Sequence, residues 1–364
     1  MARLNDSLQS LRAMNEPLDK AWRSLCAAVQ RNCHVSDAKY AGDYSLCVYL
    51  LKMREYYRWE QSLGLTATLS QQAVGDWVAQ REDMWRQLEQ HEISPLMLNG
   101  RQFDAFNDEG INRELLRYGL VYSGGYGRFG KPHFFLARLL QSEQFRGYTV
   151  FVCGKEYARD LSAPPAMTRG KFIFVRRESL RRMVWEKIEE WRWKKLNNAM
   201  TLALASYDIE RDLEAALEHI TDNEVETLIF HEIGEVIASE LLGDGWQEML
   251  SRVACTPAEV TARAVRDQLA DCLSTLPALL ELESLASIHF YFATLTGMRK
   301  QLCPSLARAY EQWVQSGDLA ELKRSVPNGR RQWLSVANNL LELHRKHGER
   351  CVPYVAAVAE HCRL

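Results

Sequence analysis

The sequence predicts a mainly α protein with a small central β-sheet, an α+β fold in which the N-terminal and C-terminal regions are helical. Long amphipathic stretches lie towards both ends of the 364-residue chain, as expected of helices that bury one face. Short aromatic and β-branched runs, separated by glycine and proline turns, lie between them and predict strands. The apolar fraction of 47% and the charged fraction of 25% are those of a folded globular chain.

The N-terminal region, residues 1–95, is predicted to be helical. Its three amphipathic stretches are Asp19–Val29, Asp43–Gln61 and Leu69–Gln90. Since helices of this kind, joined by short links, pack side by side in alternating directions, we expect an antiparallel array.

The middle region, residues 96–175, is predicted to be β-rich. Turn residues separate three runs that have strand character, Leu120–Tyr122, Tyr148–Cys153 and Lys171–Val175. The run His133–Leu140 has two interpretations, a fourth strand or a helix that begins after proline. In either case we expect a small sheet in this part of the chain.

The C-terminal region, residues 176–364, returns to helical patterns and is the third predicted domain. An acidic helix over Asp208–His219 precedes a second helix over Asp222–Leu242, which ends at a glycine-rich turn. A further helix begins at Thr256, where the order Thr-Pro-Ala-Glu predicts an N-cap, a proline in the first turn and a capping box with Glu259.

Composition argues against several classes of function. The formal net charge of -2 gives no electrostatic case for nucleic acid. The nine cysteines are scattered without a Cys-x-x-Cys pair, so a thiolate zinc finger has no support. No run is long and apolar enough to span a bilayer, and the first residues lack the apolar core of a signal peptide. We therefore expect a cytoplasmic protein with no membrane partner, while its substrate or protein partner stays open.

The stretch 231–235, with the sequence His-Glu-Ile-Gly-Glu, is the best candidate for chemistry. His231 and Glu235 are four residues apart, so on a helix they share a face and can hold one cation. Glu232 lies beside them as a general base for a water on that metal. Apolar residues flank the stretch, and an unpaired buried charge costs on the order of several kcal/mol. This cost is the physical reason to predict a metal site.

A metal at this position needs a third protein ligand. Asp267 and Asp271, which are also one turn apart, lie on the capped helix downstream. One of the two carboxylates would bind the metal, and the other would orient His231 by a hydrogen bond.

The segment Thr227–Glu235 resembles the active-site helix of the zincin metallopeptidases, whose pattern is His-Glu-x-x-His. The gluzincin branch of that family has a downstream helix with two acidic residues four apart, which Asp267 and Asp271 resemble. A strand before the motif helix is also similar to the run Phe172–Val175.

This resemblance implies a metal-dependent hydrolase. His231 and Glu235 would be metal ligands, with Glu232 as the base. Asp267 would be the third ligand and Asp271 its support. The sequence departs from the family pattern because Glu235 replaces the second histidine and Asp267 replaces a glutamate. One imidazole and two carboxylates form a harder site than two histidines, so the predicted cofactor is a divalent metal, either Zn, Fe or Mn.

The alternative is a non-catalytic helical scaffold, or a protein-interaction module, that holds no metal. Glu232 and Glu235 would then face water or the basic helix predicted over residues 178–205. A pattern with only three fixed residues also arises by chance in chains of this composition. The sequence alone leaves both interpretations open.

The glycine-rich stretch Gly125–Gly130 matches the pattern Gly-x-Gly-x-x-Gly. A dinucleotide site needs a βαβ unit around this pattern, and no such unit follows. We therefore favour a hairpin or loop over an anion site that uses Arg128 and Lys131.

Three further functional interpretations are disfavoured. His344, His347 and Cys351 would share a helix face as zinc ligands, but Gly348 interrupts the helix, so we expect a surface cluster. The basic stretch 176–195 is expected to pair with the acidic stretch 208–226 rather than with nucleic acid. A ferritin-like di-iron site needs Glu-x-x-His pairs, and no histidine here has a glutamate three residues before it.

Overall fold

The computed structural model describes residues 16–127, 130–194, 198–295 and 297–361. The helices are α1 (Glu16–Tyr40), α2 (Leu46–Glu60), α3 (Gln71–Leu88), α4 (Asp108–Leu115), α5 (Arg177–Lys194), α6 (Ala199–Leu204), α7 (Leu213–Leu242), α8 (Asp244–Arg252), α9 (Pro257–Ala270), α10 (Leu276–Glu281), α11 (Leu285–Thr294), α12 (Gly297–Leu302), α13 (Pro304–Ser316), α14 (Ala320–His347) and α15 (Val352–His361). A single π-helical turn, the π segment (Asp271–Thr275), connects α9 to α10.

The strands are β1 (Leu96–Leu98), β2 (Arg101–Phe103), β3 (Leu120–Tyr126), β4 (Pro132–Phe145), β5 (Tyr148–Arg159), β6 (Ala166–Arg169) and β7 (Phe172–Arg176). They form a two-stranded sheet, β1-β2, and a five-stranded sheet with the order β3-β4-β5-β7-β6. The predicted mainly α fold with a small sheet and helical ends is confirmed. The ambiguous run 133–140 is part of β4, which pairs antiparallel to β3 with Val121 opposite Ala137.

The chain divides into two compact units. Unit 1 contains residues 1–143 and 151–164, and unit 2 contains residues 144–150 and 165–364. The predicted regions 1–95 and 96–175 therefore both contribute to unit 1, while the β6–β7 hairpin belongs to unit 2 with the C-terminal helices.

Unit 1 packs α1 against α3 and β1. One apolar cluster includes Val29, Ile111 and Phe134, all fully buried. A second cluster forms around Met53 and Trp77, where α2 meets α3. In α2 the apolar pattern is only partly buried: Met53 and Tyr56 are buried, whereas Leu46, Leu50 and Leu51 near its start are exposed.

Unit 2 is organised around α7, which contacts α5, α9 and the π segment. Two separate helices were expected over 208–219 and 222–242, and this expectation is wrong. The helix continues through Ile220 and Thr221 because both are buried and the Thr221 hydroxyl donates to the carbonyl of Leu217. Asp212 caps the first turn by accepting from the amide of Ala215, and Gly243, at φ 69°, ends the helix.

The start of α9 differs from the expected capping box. Thr256 is the N-cap residue and proline follows it, as predicted, but the Thr256 hydroxyl donates to the carbonyl of Val253. Glu259 accepts from the amide of Cys255, at 2.8 Å, instead of the amide of Thr256. The backbone turns in the left-handed region at Cys255, φ 61°, so the amide that reaches Glu259 lies one residue earlier.

None of the helices in the described ranges combines the length and the apolar character that crossing a membrane requires.

Candidate metal centre

Three side chains of the predicted site converge in unit 2. His231 and Glu235 lie one turn apart on α7, with 3.6 Å between Nε2 and Oε1. Asp267 on α9 joins them, and one ligand atom from each of the three residues lies within 4.8 Å of the others. The side chains are 20%, 19% and 23% exposed respectively, so an ion from solvent can reach them. No other group of three such residues was found in the described part of the chain.

Asp271 orients the imidazole of His231. Its Oδ1 lies 2.8 Å from Nδ1 of His231, which leaves Nε2 free to face Glu235. Asp271 is itself fixed, because Tyr291 donates to its Oδ2 at 2.8 Å and Arg299 forms an ion pair with the same oxygen. A carboxylate behind a histidine in this way fixes the ring and makes it a better metal ligand.

The π segment places Asp271 at the first residue of a widened turn. Pro277 follows two residues after the segment and has no backbone N–H to donate to the carbonyl four residues earlier. The regular α-helical bonding therefore cannot continue from α9 into α10. A π turn of this kind accommodates the break without ending the helix.

Gly234 explains how α7 and α9 come close enough to form the cluster. A Cβ atom built on Gly234 would lie 2.3 Å from the carbonyl oxygen of Ala270. Only glycine therefore fits at this crossing. The glycine within the motif thus sets the distance between the helix that carries His231 and the segment that carries Asp271.

Glu232 faces the β6–β7 hairpin of the same unit. The Thr168 hydroxyl of β6 donates to its Oε2 at 2.7 Å, and the side chain is buried. Burial and the negative charge of Glu235 raise the pKa of Glu232 to about 7. A carboxyl group with this pKa exchanges a proton near neutral pH, which is the property required of a general acid or base.

Arg266 is the main feature of the site that the sequence analysis missed. Its Nη2 lies 2.5 Å from Oε1 of Glu235 and 3.3 Å from Oδ1 of Asp267. Burial alone would raise the pKa of Glu235, but the charges of Arg266 and His231 lower it to about 2. Burial and the charge of Glu235 raise the pKa of Asp267. Arg266 therefore already neutralises the carboxylates to which a cation would bind.

The carboxylates around His231 favour the protonated form of its imidazole. Burial would lower the pKa of its imidazole, but the carboxylates of Asp271 and Glu235 raise that pKa well above its usual value. Arg299 and His231 likewise hold the pKa of Asp271 at about 2, against the effect of burial. The cluster is therefore a network of mutually stabilised charges.

The donor set can be compared with what a metal requires. In a tetrahedral site with bonds of about 2.1 Å, ligand atoms lie about 3.4 Å apart. The 3.6 Å between His231 and Glu235 fits this spacing, whereas the outer limit of 4.8 Å for the trio requires ligand atoms to approach one another by up to about 1.4 Å. The residues present thus fit a divalent cation, provided that Arg266 releases the oxygen of Glu235.

The other sequence candidates have structural explanations. The expected surface cluster of His344, His347 and Cys351 is wrong, because His344 and Cys351 are buried. His347 ends α14 and stacks on Tyr354 with ring centroids 3.8 Å apart, and the three residues form no metal-ligand group in the described part of the chain. The glycine-rich stretch lies in the β3–β4 hairpin, where the amide of Gly127 donates to the carbonyl of Lys131. Arg128 lies outside the described residues.

The expected pairing of the basic and acidic stretches is confirmed. Arg177 on α5 pairs with Glu218 and Asp222 of α7, and Arg181 pairs with Glu214 and Glu218. Both arginines are thereby occupied within unit 2.

Two family models match the chain. Residues 24–176 match the N-terminal domain, and residues 181–361 the C-terminal domain, of a family of unknown function, DUF6866. The chain belongs to this family. Its C-terminal DUF6866 domain carries His231, Glu235, Asp267 and Asp271, while Thr168 lies in the segment matched by the N-terminal DUF6866 domain. Neither the search of curated proteins nor that of solved structures found a match.

Proposed function

We propose that this chain binds one divalent metal at His231, Glu235 and Asp267 and that it is a metal-dependent enzyme with a zincin-like hydrolytic site. One observation carries the proposal. A nitrogen ligand and two carboxylate ligands from two helices converge within 4.8 Å, and Asp271 holds the far side of the imidazole at 2.8 Å. This combination of ligands with a carboxylate behind the histidine is typical of metal centres.

The roles of the residues follow from their contacts. A divalent cation would supply Lewis acidity, which lowers the pKa of water and polarises a carbonyl group. His231 would present Nε2, since Nδ1 is engaged by Asp271. Glu232 would take and return a proton, because its pKa of about 7 allows both states near neutral pH. Thr168 would hold the Glu232 carboxyl group in one orientation.

The metal is proposed to be Zn(II), Fe(II) or Mn(II). Two carboxylate oxygens and one imidazole nitrogen are harder ligands than the two histidines of a zincin. This ligand set therefore suits Fe(II) and Mn(II) better than the two-histidine set of a zincin does. The expected cytoplasmic location, which the scattered and odd-numbered cysteines favour, remains part of this proposal.

A non-catalytic helical scaffold is the second candidate, and one contact favours it. Arg266 lies 2.5 Å from Glu235, so a protein cation already occupies a carboxylate that the metal would need. In a scaffold, this ion pair would serve only to stabilise the packing of α9 on α7, and the pair between Arg299 and Asp271 the packing of α12 on the π segment.

Metal analysis of the 364-residue chain, purified without an affinity tag, tests the two candidates. The enzyme proposal expects stoichiometric Zn, Fe or Mn, or its recovery when metal is added back. His231→Ala should lose the metal, whereas His219→Ala, an exposed histidine on the same helix, should keep it. Glu232→Gln should keep the metal and lose hydrolysis in a panel of peptide and ester substrates. Wild-type protein that neither contains nor takes up any of the three metals would contradict the enzyme proposal.

A further inference from the structure

We infer that the site takes an anionic substrate, whose carboxylate or phosphate group is held beside the metal by Arg266 and Arg299. The inference rests on the proposed metal site and names the substrate class that this site would accept. It comes from the two guanidinium groups, which neither the motif nor the resemblance includes.

The two arginines reach the cluster from different helices. Arg266 lies on α9 against Glu235, and Arg299 lies on α12 against Asp271. In both side chains the Nε atom is buried and has no hydrogen-bond partner among the described residues. A buried donor without an acceptor is unfavourable, so each guanidinium retains hydrogen-bonding capacity that a ligand can use.

The position of Arg299 is fixed through its backbone. The side-chain amide of Gln268 is fully buried and donates to the carbonyl of Arg299 at 2.7 Å. Gln268 follows Asp267 directly on α9, so the same helix turn that supplies a metal ligand also anchors α12. The side chains of Arg266 and Arg299 are 14% and 29% exposed, which leaves both within reach of a ligand.

Metal binding changes the charge of the cluster. A dication at Glu235 and Asp267 takes the oxygen that Arg266 now contacts, so the guanidinium loses its main acceptor. The dication would add two positive charges beside the guanidinium groups of Arg266 and Arg299, which already lie at the cluster. An anion is the ligand that this concentration of positive charge attracts.

The geometry of arginine selects the kind of anion. The planar guanidinium presents parallel N–H donors that match the two oxygens of a carboxylate or a phosphate, and this pairing is among the strongest in proteins. A substrate with such a group near the bond to be cleaved would be oriented by Arg266 while the metal binds the neighbouring oxygen. Neutral and cationic substrates cannot form this bidentate pair.

Calorimetric titration of the 364-residue chain tests this inference with two probes, inorganic phosphate and acetate. Each probe is added to the metal-free protein and to the protein loaded with Mn(II). We expect at least about 10-fold tighter binding of one probe to the loaded protein, and about 10-fold weaker binding when Arg266→Met is loaded in the same way. Because the competing cation is gone, Arg266→Met should bind Mn(II) as tightly as the wild type or more tightly.

A matched control and a second variant separate the outcomes. Arg263→Met removes another arginine of α9, which pairs with Glu259, and should leave anion binding unchanged. Arg266→Lys keeps the charge without the planar fork and should give an intermediate anion affinity, which also covers the case in which the methionine variant does not fold.

The results distinguish the two claims. Wild-type protein that binds none of Zn(II), Fe(II) and Mn(II) overturns the proposed metal site and this inference with it. Protein that binds Mn(II) but shows the same anion affinity with and without the Arg266 guanidinium overturns only the inference. Phosphate binding without acetate binding identifies a phosphate substrate, and the reverse identifies a carboxylate.

Discussion

Replacing Gly234 by alanine tests the close crossing of α7 and α9 on which the site depends. The new Cβ would lie 2.3 Å from the Ala270 oxygen and 2.8 Å from its carbonyl carbon. These distances fall short of ordinary contact by about 1 Å, and both partners are backbone, so no side-chain rotation relieves the overlap. The helices must separate instead.

The magnitude follows from two opposing effects. Alanine in the middle of a helix is favoured over glycine by about 1 kcal/mol. Overpacking of a well-packed crossing costs about 1–3 kcal/mol, and a rigid backbone contact belongs at the upper end. Gly234→Ala should therefore lower the free energy of unfolding by about 2 kcal/mol and the melting temperature by about 5 °C.

A separation of about 1 Å would also affect the cluster. The bond of 2.8 Å between His231 and Asp271 would lengthen beyond hydrogen-bonding distance, so Mn(II) affinity should fall together with stability. Gly245→Ala in α8 is the control, because its nearest neighbour is a leucine methyl at 3.8 Å. It should be neutral or slightly stabilising. If Gly234→Ala were as stable as Gly245→Ala in thermal and chemical unfolding, the crossing would not limit the fold as argued.

Three more variants test named contacts. Asp271→Asn should weaken Mn(II) binding about 10–100-fold in calorimetry, because the carboxylate behind His231 is lost. Glu224, buried against the hydroxyls of Ser287 and Thr227, has its pKa raised by burial to about 7, so wild-type stability should fall as the pH rises from about 4.5 to 7. The expected fall in the free energy of unfolding is on the order of 3 kcal/mol between these pH values, and it should be absent in Glu224→Gln. Lys131→Met should destabilise unit 1 by about 3–5 kcal/mol, since buried Asp37 would lose the ammonium group at 2.9 Å.

Each of these expectations has an opposite outcome that is easy to observe. Unchanged Mn(II) affinity in Asp271→Asn would remove Asp271 from the centre. A wild type whose urea midpoint is no lower at pH 8 than at pH 5, relative to the Glu224→Gln variant, would contradict the raised pKa of Glu224. A loss below about 1 kcal/mol in Lys131→Met would make its contact with Asp37 an ordinary surface ion pair.

The sequence predicted the convergence of His231, Glu235 and Asp267, but it could not establish what the cluster does. Spacing by four residues fixes which side chains share a helix face, and the capped start of α9 identified the second helix. The metal itself stays a prediction, because the same side chains also satisfy one another in the structure.

Arg266 was missed although it precedes Asp267 directly. Helical periodicity places Asp267 on the same face as Asp271. It does not predict that the long, flexible side chain of Arg266 reaches Glu235 on α7. Tyr291 and Arg299 come from α11 and α12, whose placement depends on tertiary packing that no local pattern encodes. Gly234 did carry a signal, since a glycine inside a strong helical pattern often marks a close approach.

The number of residues between Asp271 and Pro277 sets the rotation of α10 relative to the ion cluster. The π segment holds one residue more than a regular turn would need. If the same residues wound as a regular α-helix, everything after the segment would rotate by about 100° about the helix axis. Leu276 and Leu279, now buried, would then swing out of the core while Asp271 kept its place. The widened turn therefore sets the register that joins the ion cluster to the helices behind it.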